Sequence, residues 1–581
     1  MKVFKSARLT GVLAAAALFA TPALADPAVL PADTVFALGL NEVDQNAERL
    51  QPFVDEWNRL GLTESLSTLL ASNDEFDTAM DELDALDDVD FLELVGDSAW
   101  LAVSLSTSNP VPVVTFMARP TGDALAQVND QLAAVESEPG TLELTEGDHT
   151  FWVVEIDEES TDGLVTGVAI TLVDDQLIVS STPDALRGVL RRMAGSGEPS
   201  LAGVAAFGQV AHLQDSHIFS YVDMGAGART AQTFARPFAQ EFGVGALLDE
   251  AVSAMVTAGV VAGGNNFTAD GMTATSVQVV GDENPTIRSL LLDRSPASQD
   301  ALAFVPADTL AVSSGFSNPS AWWGYLNTLV ASYPELGISS LDDLLMMFVG
   351  LDLRTSFFNW VGNEMTTITT GLTATAAPGV ASDNLLGENL YILRTDADAD
   401  AQAGLDNIMQ MASMMIGAFT SLDGSTAGQP DTGSSETVDG VTVRTFNITD
   451  GVIVSYAVTD GFVLISTDGT SVAAALEARA AGSAAPDTVN RLLGSIPGGV
   501  VSFTVSDNEA TLRSLAGQAA AQVEMVAGLS GGGVDFDALD SASSGVEEFL
   551  NFVADHLDGS WGYTTIDGNV ITSEGFTEIA W

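Results

Sequence analysis

The chain has 581 residues, of which 46% are hydrophobic, and it carries a formal net charge of −60 without a single cysteine. The length suits several domains with a large buried core. The lack of cysteine excludes disulfides and thiol chemistry. A surface this acidic repels phosphate backbones, which excludes nucleic acid as a partner.

The first 25 residues have the three parts of a cleavable secretory signal. They are a basic start, an apolar stretch and a small-residue exit, formed by Lys2, Lys5 and Arg8, residues 12–20, and residues 23–25. The apolar run is shorter than the roughly 20 residues that a membrane anchor needs. The sequence therefore predicts export to the periplasm, the cell envelope or the exterior.

The remaining chain is expected to contain no transmembrane segment. Its longest apolar stretch, residues 244–264, includes Asp249 and Glu250, whose cost in hydrocarbon favours a helix and a strand of a water-soluble domain.

Export would remove both lysines and Arg8, leaving 16 arginines and a net charge of −63. Two explanations of this negative charge stay open. One is adaptation to a salty exterior, where charges are screened over about 8 Å or less, and the other is collection of divalent cations. The acids are dispersed, which favours salt adaptation. We expect the melting temperature to rise markedly between low salt and molar NaCl, and an unchanged value would contradict this.

The stretch after the signal occurs twice. "LPADTVFALGL" at residues 30–40 returns as "VPADTLAVSSGF" at 305–316, and an amphipathic helical stretch follows each, residues 44–70 and 319–348. Each copy then reaches a Val-Gly turn and a β-rich run whose last strand ends in arginine, Arg119 or Arg394.

Further paired landmarks keep the same order. "VDDQLIVSST" (173–182) matches "VTDGFVLIST" (458–467), and each precedes a helix, residues 183–194 or 471–481, that a glycine ends. The last β-ribbons contain the hairpin dipeptides Asp270-Gly271 and Asp567-Gly568.

These matches predict an internal duplication with units at residues 27–281 and 301–581, joined by a linker at 282–300. Period-two alternation with short turns predicts antiparallel strands, and together with the helical stretches these strands predict an α+β fold. Each unit is expected to be a largely antiparallel sheet with helices packed on one face. Whether the two units share one sheet stays open at this point.

"DADAD" at residues 396–400 resembles the start of a calcium loop. The expected turn glycine is Ala401, however, and the twelfth position is Asn407 instead of glutamate. Both this segment and Asp123 stand where a strand passes into a helix, so helix capping is favoured. Arg119 and Arg394 are similarly assigned to ion pairs with acids just downstream, in preference to an anion site.

No catalytic, cofactor-binding or metal-binding residue is predicted. "GLSGG" (528–532) matches a nucleophile-elbow pattern but follows a helical stretch instead of a strand. His212 and His217 lie five residues apart without a further ligand beside them and are expected to be solvated.

Aromatic and methionine residues form two clusters at helical spacing. They are expected to be core, with an apolar groove between helices and sheet as the alternative. The residues are Trp322, Trp323, Tyr325, Met346, Met347, Met409, Met411, Met414 and Met415.

The Pro-Ala-Asp-Thr strand after the signal, its second copy, and the strands "DDQLIVSST" and "TDGFVLIST" resemble a family of secreted bacterial proteins, domain of unknown function 3352. The resemblance implies no activity and no site residues. We expect a non-enzymatic exported scaffold or binding protein for a partner protein or an extended ligand. A carrier of apolar small molecules or lipid and a carboxylate-dependent hydrolase are the alternatives.

Overall fold

The structure is a computed structural model. It describes residues 27–61, 96, 98–106, 109–137, 140–155, 167–316, 318–333, 339–348, 350–371, 388–422, 433–449, 452–482, 485–519 and 536–581. The predicted signal at 1–25, most of the stretch 62–97 and the "GLSGG" segment lie outside these residues.

Within the described residues, twenty strands form one sheet. They are β1 Thr34–Asn41, β2 Ser98–Ser106, β3 Asn109–Ala118, β4 Thr141–Glu146, β5 His149–Glu155, β6 Gly167–Val173, β7 Gln176–Ser180, β8 Ile218–Asp223, β9 Val260–Thr268, β10 Gly271–Val279, β11 Ala311–Phe316, β12 Glu364–Gly371, β13 Glu388–Arg394, β14 Ser434–Val438, β15 Val441–Thr449, β16 Val452–Thr459, β17 Phe462–Ser466, β18 Ser502–Asp507, β19 Leu557–Asp567 and β20 Val570–Ile579.

All pairings between these strands are antiparallel. The order across the sheet is β4-β5-β6-β7-β3-β2-β1-β8-β9-β10-β20-β19-β18-β11-β12-β13-β17-β16-β15-β14. When the two halves of this order are read from their outer edges to the middle, the strand at each step of one half has a number ten higher than the strand at the same step of the other half. In the middle, β10 pairs with β20 from Gly271 opposite Glu578 to Val279 opposite Val570. The sheet is therefore continuous across the whole described chain.

The described α-helices are α1 Val43–Arg59, α2 Gly122–Ser137, α3 Pro183–Met193, α4 Ala205–Gly208, α5 Met224–Glu241, α6 Gly245–Ala258, α7 Pro285–Leu292, α8 Pro319–Ala331, α9 Leu341–Phe348, α10 Asp398–Leu422, α11 Ser471–Ala481, α12 Asp487–Leu493, α13 Asn508–Ala516 and α14 Phe536–Ala554. None of these helices is both long enough and apolar enough to cross a membrane.

Helix limits follow the local signals in the sequence. The hydroxyl of Thr182 caps α3 by accepting the N–H of Ala185, and α11 ends at Gly482 with a left-handed φ of 85°. These two helices agree with the prediction. The stretch predicted to be helical at 319–348 contains the helices α8 and α9.

Helices cover both faces of the sheet, so the expectation of one covered face is wrong. On β17, Val463 packs in a cluster with Leu405 of α10, while the next residue, Leu464, packs with Leu476 of α11. Consecutive strand residues point to opposite faces. A strand buried on both sides needs apolar residues at successive positions, which "FVLI" of β17 supplies.

Helices from the beginning of the chain pack on helices from its end. On α1, the ring of Phe53 lies 5.7 Å from that of Phe552 on α14, and Trp57 lies 5.1 Å from Phe549. In a second such contact, the Tyr325 hydroxyl of α8 donates to Glu250 of α6 at 2.8 Å. Both sequence halves therefore contribute to each of these helix layers.

Candidate functional site

The larger described cavity has a volume of about 490 Å³ and lies at the middle of the sheet. Its lining comes entirely from the six central strands β8, β9, β10, β20, β19 and β18. It is centred where β10 and β20 pair.

One row of small side chains crosses all six strands on the cavity face. Residues opposite one another in an antiparallel pair point to the same face. The successive opposing residues are Ser220, Gly263, Ser276, Ser573, Thr564 and Ser502. Ser276 and Ser573 face each other across the central pair and lie at the middle of the row.

A second row lies beside the first on the same face. Its members are Asn265, Ala274, Gly575, Gly562 and Thr504. The floor of the cavity therefore combines hydroxyl and amide groups with short apolar stretches of alanine and glycine.

Close approach between strands depends on glycine in this floor. A Cβ atom added to Gly263 would lie 2.8 Å from the Ser220 hydroxyl oxygen. Any larger residue at this position would displace Ser220 and reduce the cavity.

Several polar side chains of the floor have unused hydrogen-bonding capacity. Thr564 and Ser573 share a hydrogen bond of 2.9 Å between their hydroxyl oxygens. The side chains of Ser220, Ser276 and Ser502 form no hydrogen bond with any other described residue, and each is partly exposed. A bound molecule can therefore use them as donors and acceptors.

The charge of the lining is turned away from the cavity. Glu574 is the single acid of the lining, and it alternates along β20 with Ser573, so its side chain points to the opposite face. There it accepts a hydrogen bond from Tyr563. That bond, together with partial burial, raises the pKa of Tyr563 above the ordinary tyrosine value.

Only part of the methionine and tryptophan clusters joins the core that the sequence predicted: Met409 packs against the buried cluster of Trp360 and Leu405, whereas other members are exposed. Trp322 is 38% exposed, Met347 is 71% exposed and Met414 is 54% exposed. None of the clustered residues lines the central cavity. The indole of Trp323 does pack, since it stacks on Phe358 at 5.0 Å and donates to a carboxylate. Helical spacing predicted that these side chains share one face of a helix, but it could not predict whether another element packs on that face.

The smaller cavity, about 200 Å³, contains one of the two arginines singled out in the sequence. Arg394 binds Asp300 at 3.0 Å and lies over the ring of Phe462. An ion pair was predicted, but its acid lies upstream, in the joining segment, and not downstream. Arg119 is exposed and forms no ion pair with the residues that the structure describes.

The acids of "DADAD" lie at the start of α10, with Asp398 and Asp400 in its first turn. The Asp398 carboxylate accepts the backbone N–H of Gly461 at 3.2 Å. In the described part of the chain, no three His, Asp or Glu side chains come together in a group able to hold a metal ion. The position of the acids agrees with the prediction of favourable charge at a helix N-terminus.

The two neighbouring histidines have different surroundings. His212 is exposed in a short 3₁₀ helix. His217 accepts the N–H of Phe267 through Nδ1 at 2.9 Å, and its Nε2 lies 3.2 Å from a carboxylate oxygen of Glu42. The expectation of a solvated pair is therefore wrong for His217, because both of its ring nitrogens are engaged.

Sequence reasoning missed the central cavity. The strands of the two final ribbons were identified, and their alternating Ser, Thr and Gly residues were the available signal. That alternation predicts that each strand has one polar face. It does not predict that six strands place their polar faces side by side.

The chain belongs to a family of proteins without an assigned function. It matches the family described as "Protein of unknown function (DUF3352)" over residues 127–498, which is more than half of its length. Neither the curated proteins nor the solved structures contain a match to it.

Proposed function

We propose that the chain consists of two tandem homologous units, residues 27–281 and 301–581, joined by 282–300. The order of strands supports this proposal, because the neighbours of each of β1 to β9 correspond, with ten added to each number, to the neighbours of the strand numbered ten higher. The central pair supports it as well, since β10 and β20 are the equivalent last strands of the two units. The joining segment contains α7.

We further propose that the protein is an exported, non-enzymatic binding protein of the cell envelope. The observation that carries the proposal is the central cavity, whose floor presents unpaired hydroxyls from both units. Export rests on the signal pattern of residues 1–25, and N-terminal sequencing of the secreted protein tests it. A chain that keeps Met1 would contradict export with cleavage.

The binding experiment uses the absence of cysteine. A Ser276→Cys variant carries one thiol, which accepts an environment-sensitive fluorophore at the centre of the cavity. A Thr145→Cys variant places the same label on the outer strand β4 and serves as the matched control. We expect fractions of envelope extract to change the fluorescence at position 276 and not at 145. Equal responses at both positions, or none, would argue against a binding cavity.

The apolar-carrier alternative is favoured by one observation, the exposed side chains of Trp322, Met347 and Met414. Solvent extraction of the purified protein followed by mass spectrometry tests it. Co-purified lipid would support a carrier, and a protein free of lipid would weaken this alternative.

The hydrolase alternative has weaker support. Neither described cavity is lined by a pair of carboxylates. Asp558 and Glu578 do form a close pair, but both bind Arg491 outside the cavities. Burial raises the pKa of Asp558, and the hydrogen bond from Arg491 lowers that of Glu578.

A further inference from the structure

The hydrogen-bonding groups of the central cavity restrict what it can bind. Ser220, Ser276 and Ser502 present hydroxyls, and Asn265 presents an amide, and none of these side chains has a partner among the described residues. A hydroxyl both donates and accepts. The best-matched ligand therefore offers closely spaced groups that also do both.

The backbone N–H and C=O groups of the cavity floor already form hydrogen bonds between strands. β10 pairs with β9 on one side and β20 on the other, and β20 pairs with β10 and β19. A peptide that binds by adding a strand needs a free edge. The floor therefore offers an extended peptide no backbone hydrogen bonds.

Charge excludes further classes of ligand. The chain carries −60 overall, and the 15 lining residues include no arginine, lysine or histidine, so anions meet repulsion without compensation. A cation finds no carboxylate on the floor, because Glu574 points to the other face. An uncharged ligand remains.

We infer that the cavity binds a neutral oligosaccharide, an inference that rests on the proposed binding function. The hydroxyl row from Ser220 to Ser502 faces the sugar hydroxyls, and the adjacent Ala274, Gly575 and Gly562 face the C–H surface of the rings. A volume of about 490 Å³ lies within the range of about 300 to 1,000 Å³ typical of ligand sites. This suits a short segment of a sugar chain.

The test is isothermal titration of the full-length protein with maltohexaose, cellohexaose and chitohexaose, with hexagalacturonate as the anionic counterpart. We expect at least one neutral hexasaccharide to bind and hexagalacturonate not to bind. The double variant Ser276→Ala/Ser573→Ala should weaken that affinity about thirtyfold, since each of the two lost hydrogen bonds contributes roughly 1 kcal/mol. Thr145→Ala, on β4, should leave it unchanged.

A blocking variant separates the ligand class from the location. Ala274→Trp fills the cavity with a residue that strands tolerate well, and circular dichroism and the melting temperature check that it folds. Its loss of hexasaccharide binding would support the inference, whereas undiminished binding would overturn the location.

If no neutral hexasaccharide binds, or if hexagalacturonate binds as tightly, the inferred ligand class is wrong. In that case a fluorescence response at position 276 to another fraction would leave the proposed binding function intact. A silent label would remove both.

Discussion

Equivalent positions in the two halves of the sheet are packed in different ways. In the first half, Gly39 of β1 lies between Trp100 of β2 and Phe219 of β8. Trp100 is only 1% exposed, and its indole N–H has no hydrogen-bond partner among the residues that the structure describes. The large ring fits because Gly39 has no side chain, and a Cβ there would come within 2.8 Å of Phe219.

In the second half, Ser314 of β11 lies between Thr366 of β12 and Phe503 of β18. Both hydroxyl residues are buried, and Thr366 donates to Ser314 at 2.8 Å. Thus one layer is aromatic and the other contains a buried polar pair. The order of strands tolerates this difference because buried hydroxyls that bond to one another incur little of the desolvation cost.

The largest effect is expected for Trp100→Ala. Removing a fully buried indole leaves a cavity and should lower the free energy of unfolding by about 3–5 kcal/mol, measured as the shift of the urea transition. Trp322→Ala, which removes a partly exposed indole from α8, is the matched control and should cost only about 1 kcal/mol. Similar losses for both would contradict the aromatic layer described here.

Gly39→Ser would place the residue of the second half at the equivalent position of the first half, and we expect this variant to be less stable than the wild type. The added atoms must displace Phe219 or Trp100, which typically costs about 1–3 kcal/mol. The reverse change, Ser314→Gly, leaves the Thr366 hydroxyl buried without its partner. A stable Gly39→Ser protein with an unchanged urea transition would show that the two layers are interchangeable.

Thr366→Val should cost about 1 kcal/mol, because the buried hydroxyl of Ser314 loses its donor. The double variant Ser314→Ala/Thr366→Val should be closer to the wild type than the single variant, since both polar partners are gone. A double-mutant cycle from urea unfolding measures this coupling. Additive losses would mean that the two hydroxyls act independently.

The smallest effect concerns the first residue of β12. Ser98 starts β2, and Glu364 is its counterpart, where burial raises the pKa of the carboxyl group above the ordinary glutamate value. The folded state then holds this proton more tightly than the unfolded state. The contribution of Glu364 to stability therefore falls as the pH rises from the ordinary glutamate pKa to the raised one.

Glu364→Gln keeps the acceptor for the Ser298 N–H, which the carboxylate binds at 2.8 Å, and removes the titration. We expect the variant to gain melting temperature relative to the wild type near neutral pH and not at acidic pH. Ser98→Ala, at the counterpart position, should show no such pH dependence. A difference that is constant with pH would rule out the burial of this carboxyl as its cause.

The prediction from sequence succeeded where the signal is local. Helix α11 has its predicted limits. The two predicted final ribbons are β9–β10 and β19–β20, and each of their turns is shifted by one residue from the predicted dipeptides Asp270-Gly271 and Asp567-Gly568. Alternation, capping and turn residues act through neighbours in the chain, so they can be read without the tertiary structure.

The prediction failed where the outcome depends on distant neighbours. Three outcomes depend on which elements meet in space: the second face of the sheet that helices cover, the exposure of Trp322 and Met347, and the ion-pair partner of Arg394. The central cavity is the clearest case, since Ser276 and Ser573 lie almost 300 positions apart in the chain and become neighbours only through the β10–β20 pair.

The sequence by itself determined the chemical character of the protein, an acidic, cysteine-free chain with the strands and helices of an α+β fold. These properties follow from composition and from short-range periodicity. Only the tertiary structure decided that all the described strands share one sheet and that six of them form an open, hydroxyl-lined cavity at its middle. Strand pairing joins residues that are distant in the chain, and no local pattern specifies which edges will meet.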